Sequence, residues 1–192
     1  GEEPLSALYT ELTGASLEFA AQVREKKRHV LRTGLAGEVN RLTLLLLAIS
    51  ERHWRYRDYT IEELREVLSE LIACFPVYRT YVRPSVSFVG PRDEEYIRDA
   101  TACAQRFRPD IDPHVFDFIR DLLLLVMRGE QEDDFVLRFQ QLCGPAMAKG
   151  VEDTLFYTYN RFVALNEVGG APNRFGVSPE EFHAYLAYAQ ET

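Results

Sequence analysis

Apolar residues recur at helical spacing along most of the chain. Leu5, Leu8, Tyr9 and Leu12 fall on one helix face, and Gly14 follows them as a helix stop. Helical spacing of apolar residues, together with residues that start or stop helices, predicts further helices over 15–32, 38–52, 61–74, 91–107, 113–128, 135–142, 145–165 and 179–192. The pattern therefore predicts a mainly α fold, an irregular multi-helix domain.

Capping residues mark several of the predicted helix starts. Thr60 and Glu63 have the spacing of a capping box, in which each side chain accepts a hydrogen bond from the other residue's amide. The pairs at 112–113 and 178–179 place an Asp or Ser cap before a proline, which suits the first helical position. The run of leucines within 42–47 is apolar on more than one face, so we expect that helix to be central.

One segment departs from the helical pattern. Residues 77–82 are rich in β-branched and aromatic side chains and lie between Pro76 and Pro84. This composition predicts at most a short strand or extended segment. No repeat or linker divides the sequence, so residues 1–192 are expected to form a single helical domain.

The charge balance restricts the class of partner. Lys and Arg number 22 against 30 Asp and Glu, for a net charge of -8. Such a chain lacks the basic surface that nucleic-acid binding needs, and an anionic membrane would repel it. No signal peptide is visible, and the apolar run at 42–49 is too short to span a bilayer, so a cytoplasmic location is expected.

The cysteines and histidines show no metal-ligand spacing. Cys74, Cys103 and Cys143 are far apart in sequence and form no CxxC pair, so the sequence predicts neither a zinc site nor a redox motif. Buried or half-buried thiols in a reducing compartment are the expected interpretation. The four histidines are isolated, and we expect no metal and no cofactor.

The strongest polar pattern lies in the predicted helix over 145–165. On an α-helix Lys149, Glu152, Asp153, Tyr157 and Asn160 would share one face, which could bind a hydroxyl-rich ligand such as a sugar. The alternative is a solvated face with a Lys149–Asp153 ion pair worth about 0.3–0.5 kcal/mol. Spacing alone leaves both interpretations open.

Two features next to this pattern bear on its chemistry. The helix leads into Asn166 and Glu167 and then into the flexible pair Gly169-Gly170, a sequence that suits a ligand-facing loop. Glu152 and Asp153 are adjacent, and side chains one position apart on a helix diverge by roughly 100°. They are therefore badly placed to act as the two carboxylates of a glycosidase.

Several motifs occur in a specific order. They are Pro76-Val77-Tyr78-Arg79-Thr80-Tyr81, Arg138-Phe139-Gln140-Gln141, Gly144-Pro145-Ala146-Met147-Ala148-Lys149-Gly150-Val151-Glu152-Asp153-Thr154, Phe156-Tyr157, Tyr159-Asn160-Arg161 and Leu165-Asn166-Glu167-Val168-Gly169-Gly170. Together they closely resemble the maltooligosyltrehalose synthase family, over essentially the whole chain. Leu155 and Thr158 depart from the pattern, which has Ala and Arg there.

This resemblance implies a fold and a reaction for the full-length enzyme. The family belongs to the α-amylase superfamily and has a (β/α)8 catalytic barrel, in or beside which this helical region would be inserted. Its members convert the reducing-end α-1,4 linkage of a maltooligosaccharide to an α,α-1,1 linkage by intramolecular transglucosylation. The implied mechanism is retaining, with an Asp nucleophile and a Glu acid and base.

The resemblance also implies where the catalytic residues lie and which residues of this chain line the substrate pocket. The family's nucleophile and acid/base are expected upstream of this chain and its third carboxylate downstream, so we expect no catalytic residue here and no activity from this chain alone. The expected partners are a maltooligosaccharide and the rest of the enzyme's own barrel. The residues expected to line the substrate pocket are Lys149, Glu152, Asp153, Tyr157, Asn160, Asn166 and Glu167, with Arg79 and Tyr81 as additional candidates.

Two other interpretations of the sequence stay open. The chain could be a stand-alone helical module that binds another protein through 144–170, or a carbohydrate-binding accessory domain. Both are compatible with a mainly α fold and an acidic surface.

Overall fold

The computed structural model describes residues 2–14 and 18–191. Within them lie eight α-helices, numbered here in chain order: α1 (Glu2–Thr13), α2 (Phe19–Arg32), α3 (Ala36–Glu51), α4 (Ile61–Cys74), α5 (Pro91–Phe107), α6 (Pro113–Leu123), α7 (Glu130–Met147) and α8 (Pro179–Glu191). A π-helical turn (Ala148–Glu152) and short 3-10 turns (Pro84–Val86, Leu155–Tyr157, Val163–Leu165) complete the regular structure. The mainly α prediction is confirmed.

The contacts divide the chain into two compact units. The larger unit is Ala20–Leu155, and the terminal unit combines Gly1–Phe19 with Phe156–Thr192. The prediction of one domain over 1–192 stays a prediction. The start of the second predicted helix, at 15–17, lies outside the described residues.

The core of the larger unit is built around α4. This helix packs against α3, α5, α6 and α7, and Leu64, Val67, Leu68, Leu71 and Ile72 are fully buried on it. Burying such side chains removes apolar surface from water, which is the main favourable term in folding.

The expectation that the leucine-rich helix would be central is only partly right. On α3, Leu42 and Leu46 are buried, whereas Leu44 is 47% exposed. Consecutive leucines point around the whole circumference of a helix, and α3 packs on α4 and α7 without being enclosed on all sides.

Helix starts follow the predicted capping chemistry at three sites. At the start of α6 the Asp112 side chain accepts a hydrogen bond from the His114 amide. Thr60 and Glu63 form both halves of a capping box, and the same reciprocal pair links Ser178 and Glu181 before α8. The predicted end of α6 is wrong. The helix ends at Leu123, and Leu125 follows with φ of 58°, a left-handed conformation that stops the helix before the expected glycine.

The segment 77–82 forms no strand, and its backbone bends at residues 77 and 78. Among the described residues the one β-bridge is isolated and joins Arg83 to Phe88. The backbone of this segment is held by side chains. The Tyr81 amide donates to Asp93 at 3.1 Å, and the buried Val82 exchanges two hydrogen bonds with Gln140.

The predicted helix over 145–165 is wrong. Pro145 lies inside α7, which continues to Met147 because Cys143 and Ala146 pack in the core on either side of the proline. The chain then makes the π-helical turn, closed by a hydrogen bond from the Asp153 amide to the Ala148 carbonyl at 2.9 Å. Beyond it the backbone is irregular, so the five polar residues do not share one α-helical face.

Within the described part of the chain, no helix is long and apolar enough to cross a membrane.

Candidate functional site

The π-helical turn presents three of the predicted site residues. Lys149 and Asp153 are exposed and Glu152 is half-buried, while Gly150 between them is buried. A Cβ atom on Gly150 would lie 2.8 Å from Lys27 Cγ, 2.9 Å from its Cα and 3.0 Å from its backbone nitrogen. Only glycine therefore lets the turn lie this close to α2. Single π-turns of this kind are frequent at functional sites.

Lys27 is fully buried beneath the turn. Its ammonium donates to the Phe75 carbonyl at 2.9 Å, at the end of α4. Burial disfavours the charged form and lowers the pKa of Lys27 to about 8. The Lys27 side chain thus packs against the π-turn and binds the Phe75 carbonyl, which lies just before the segment 77–82.

Glu152 is held in place by a hydrogen bond. The Tyr78 hydroxyl donates to its carboxylate, which joins the segment 77–82 to the π-turn. This bond, together with partial burial and the carboxylate charge, raises the pKa of Tyr78 to about 12. Tyr78 therefore remains a neutral donor near neutral pH, and the Glu152 carboxylate keeps a defined position.

A groove of about 390 Å³ opens beside Lys149. Its floor is apolar and its rim carries cations, an acid and an amide; the lining residues are Leu35, Glu38, Arg41, Leu42, Arg138, Gln141, Leu142, Pro145 and Lys149. Arg41 pairs with Glu38 at 3.0 Å and Arg138 pairs with Asp134 at 2.7 Å. Among the described residues no ion pair forms to the Lys149 ammonium, so the Lys149–Asp153 pair of the alternative interpretation is absent there.

The segment 77–82 places Arg79 and Tyr81 side by side. The Arg79 guanidinium lies 4.5 Å from the centroid of the Tyr81 ring, and the ring is 64% exposed. Both residues line a groove of about 520 Å³ that also includes Phe88 and Gln141. They also line a second groove, of about 430 Å³, with Tyr78. Exposed rings beside planar donors suit the apolar faces and hydroxyls of a sugar.

Gln140 fixes this segment from α7. Its amide oxygen accepts from the Val82 amide at 2.8 Å, and its amide nitrogen donates to the Val82 carbonyl at 3.1 Å. Both residues are buried, so the pair replaces the hydrogen bonds that a neighbouring strand would supply.

We expect Gln140→Leu to lower the free energy of unfolding by about 2 kcal/mol, because it leaves two buried backbone groups unpaired. Gln141→Leu makes the same change at an exposed neighbour on the same helix and should have little effect. Urea denaturation of both variants measures the difference. Equal stabilities would contradict the role given to Gln140.

The remaining four predicted residues lie in the terminal unit. Tyr157 is 79% exposed, and Asn160 and Glu167 are also exposed. Asn166 is half-buried, and its amide nitrogen donates to the carbonyls of Phe156 at 2.8 Å and Tyr159 at 2.7 Å. The Asn166 amide nitrogen thus holds the local backbone, while the other three present their side chains to solvent.

Arg161 organises the same unit. Although it is buried, it donates to Glu2 at 2.8 Å and to the Pro172 carbonyl at 2.9 Å. These bonds bring α1 and the loop after Gly170 together around one guanidinium.

The structure thus brings some of the predicted site residues together. Lys149, Glu152 and Asp153 lie on the π-turn. Arg79 and Tyr81 lie in the segment 77–82, and Tyr78 of that segment donates a hydrogen bond to Glu152. Their role in binding substrate stays a prediction. In residues 2–14 and 18–191, no three His, Cys, Asp or Glu side chains converge as metal ligands.

Comparison with known proteins extends over nearly the whole chain. It is 31% identical, over 185 residues and 95% of its length, to a Mycobacterium tuberculosis protein assigned as a maltooligosyl trehalose synthase. The solved maltooligosyltrehalose synthase of Arthrobacter ramosus matches 99% of the chain at 32% identity and a TM-score of 0.77. The DSM5389 glycosyltrehalose synthase, at 24% identity and a TM-score of 0.62, shows the same fold. No sequence profile of a protein family matches.

The chain is related to a segment of maltooligosyl trehalose synthases. It spans about a fifth of these relatives, 21% of the Mycobacterium protein and 22% of the Arthrobacter chain. The family resemblance drawn from the sequence motifs is therefore confirmed, as is the expectation that the chain corresponds to only part of such an enzyme.

Sequence reasoning missed the residues that support the candidate site. Tyr78 and Gln140 lie within the quoted motifs but carried no assigned role, and the sequence pattern assigned no role to Lys27. Gly150 was the available signal, because a glycine has no Cβ and so permits a close approach of another part of the chain.

Proposed function

We propose that this chain is the helical part of a maltooligosyl trehalose synthase and forms a wall of its substrate pocket. The proposal rests on one observation: nearly the entire chain matches one segment of these enzymes in sequence and in fold. The full-length protein would convert the reducing-end α-1,4 linkage of a maltooligosaccharide to α,α-1,1. In the terms of enzyme classification it would be a (1→4)-α-D-glucan 1-α-D-glucosylmutase.

The chemistry of the larger unit supports binding of a sugar. Lys149 and Glu152 offer a cation and an acceptor within one turn, and Arg79 and Tyr81 add a planar donor and an exposed ring. Sugar hydroxyls need donors and acceptors, and the C–H faces of the ring pack on aromatic side chains. Asp153, Tyr157, Asn160, Asn166 and Glu167 are the remaining candidates.

In this proposal the chain positions substrate and breaks no bond. The Asp nucleophile and the Glu acid and base would come from the (β/α)8 barrel of the full-length enzyme, which is of the α-amylase type. The glucose released from the glycosyl-enzyme must stay bound, turn over and attack through its anomeric hydroxyl. A wall of positioned polar groups would hold this glucose and exclude water, which would otherwise hydrolyse the intermediate.

The location and packing belong to the same proposal. We infer that the chain packs on the enzyme's own barrel and acts in the cytoplasm. The three free cysteines support a reducing compartment.

The test uses the full-length enzyme and maltopentaose. Glu152→Gln and Lys149→Ala should each lower the ratio of trehalose-capped product to free glucose by about tenfold, the effect of losing ~1.4 kcal/mol of differential binding. Glu62→Gln, an exposed change in the first turn of α4, should leave the ratio unchanged. Chromatography of the products measures both. Wild-type product ratios in both site variants would show that Lys149 and Glu152 do not take part in positioning the substrate.

The chain by itself is expected to be inactive on maltopentaose, because the bond-breaking carboxylates are supplied elsewhere. Formation of trehalose-capped product by the purified 192 residues would contradict this placement of the chemistry. Titration with maltooligosaccharides tests the carbohydrate-binding interpretation separately. We expect weak binding by the isolated chain, since it holds only part of a pocket.

A further inference from the structure

Two cysteines on neighbouring helices face each other in the larger unit. Cys74 ends α4 and Cys103 lies in the last third of α5, with the two sulfur atoms 2.7 Å apart. Both thiols are free and half-buried, whereas the third cysteine, Cys143, is buried. The two residues are 29 positions apart in sequence and form no CxxC motif, so the sequence alone did not indicate that they are close in space.

The geometry leaves little movement for a bond to form. Sulfur atoms in a disulfide are about 2.05 Å apart, so the observed separation exceeds a bond by well under 1 Å. The helices that carry the two residues pack directly on each other. Closing the pair therefore needs a small side-chain adjustment and leaves the helix packing in place.

Charged groups around the pair favour reaction at one sulfur. The hydrogen bond between the thiols and the Arg106 cation lower the pKa of Cys103 to about 7. The same hydrogen bond, burial and the carboxylate of Glu70 raise the pKa of Cys74. Arg24, on α2, binds Glu70 and faces the same cluster. One sulfur is thus available as a thiolate while its neighbour keeps its proton.

We propose that Cys74 and Cys103 form an oxidation site that closes to an intramolecular disulfide in the presence of a hydroperoxide. The Cys103 thiolate attacks the peroxide, an S–O bond forms, the O–O bond breaks, and the leaving oxygen takes a proton to become water. The Cys74 sulfur then attacks the Cys103 sulfenic acid. An S–S bond forms, the S–O bond breaks, and the Cys74 proton leaves with the hydroxide as a second water.

The two steps balance. The two thiols together lose two protons and two electrons, and these reduce hydrogen peroxide to two waters. A thiol reductant reverses the change by exchange through a mixed disulfide. The linkage joins α4 to α5 beside the buried Glu70 and its arginines, and it is independent of the proposed carbohydrate function.

Peptide mapping of the full natural polypeptide tests this site. Trypsin separates the three cysteines onto peptides 66–79, 99–106 and 139–149. After treatment with hydrogen peroxide and alkylation of the remaining thiols, mass spectrometry should find 66–79 linked to 99–106. Peptide 139–149 should be alkylated only after denaturation, because Cys143 is buried. Dithiothreitol should release the linked pair.

Two variants make the result decisive. Cys74→Ser should stop the linkage and leave Cys103 as a sulfenic acid that a dimedone probe captures. Cys103→Ser should stop both the linkage and the capture. In native wild-type protein at pH 7, iodoacetamide should modify Cys103 at least about tenfold faster than Cys143, since the thiolate is the reactive form. An unlinked pair after peroxide treatment, or linkage through 139–149, would overturn the proposal.

Discussion

We expect Gly150→Ala to lower the free energy of unfolding by about 2–3 kcal/mol. The added methyl group would lie 2.8–3.0 Å from the Cγ, Cα and nitrogen of Lys27. Two of these three atoms belong to the backbone of α2, so the clash cannot be relieved by a side-chain rotation. Overpacking of a well-packed site typically costs about 1–3 kcal/mol because the backbone must shift.

A matched control is available on the adjoining helix. For Gly144→Ala the nearest atom to the new methyl is the Tyr78 carbonyl at 3.9 Å, an ordinary contact distance. Since Gly144 lies inside α7, alanine there should be neutral or stabilising by up to about 1 kcal/mol. Urea denaturation followed by circular dichroism compares the two. Similar stabilities for the two variants would mean that the π-turn can move away from α2 without cost.

We expect Gly150→Ala to disturb the proposed substrate pocket as well as the stability of the fold. Gly150 lies between Lys149 and Glu152, so any displacement of the turn moves both side chains. In the full-length enzyme Gly150→Ala should therefore lower the proportion of trehalose-capped product, whereas Gly144→Ala should leave it unchanged.

The second large effect concerns the buried Lys27 and its dependence on pH. Folding lowers the pKa of Lys27 from 10.5 to about 8 through loss of solvation. Between these two values the folded chain has released a proton that the unfolded chain still holds. Stability contributed by this group therefore rises as the pH increases from about 8 to about 10.5.

We expect the stability of Lys27→Met to fall relative to wild type by on the order of 3 kcal/mol across this pH window. Methionine has a similar length and no proton to release, so the variant lacks the rise. Near pH 7 the variant avoids burying a charge but leaves the Phe75 carbonyl unpaired, and these two effects oppose each other.

The measurement is the free energy of unfolding in urea at several pH values from 7 to 11. Taking the difference between variant and wild type cancels the titration of the groups they share. Lys26→Met removes one positive charge from the neighbouring position, which is not fully buried, and controls for that change. A difference that stays constant with pH would show that Lys27 does not release its proton in this range.

Local sequence rules located the elements with strong end signals. The capping box at Thr60 opens α4, and the Asp112 side chain caps α6 as expected. The helix over Pro91–Phe107 has the predicted bounds. Thr60 and Asp112 bond to backbone amides two or three positions away, and Pro91 occupies the first helical position of α5, so the information lies within a few positions of the chain.

The same rules failed where distant residues decide the backbone. Gly144 and Pro145 have the composition of a helix boundary, yet core packing of Cys143 and Ala146 carries α7 through them. The polar residues from Lys149 onward have the spacing of an α-helix, but the backbone forms a π-turn there, and Gly150 in that turn lies against α2.

The sequence by itself determined the helical class, most helix starts and, through ordered motifs, the relation to maltooligosyl trehalose synthases. These depend on local hydrogen bonding, on periodicity and on residue identity, which can be read along the chain. Only the tertiary structure showed that Tyr78 binds Glu152, that Gln140 holds Val82 and that Cys74 meets Cys103. Each of these pairs is separated by 29 to 74 positions, and packing around α4 and α7 brings its members together.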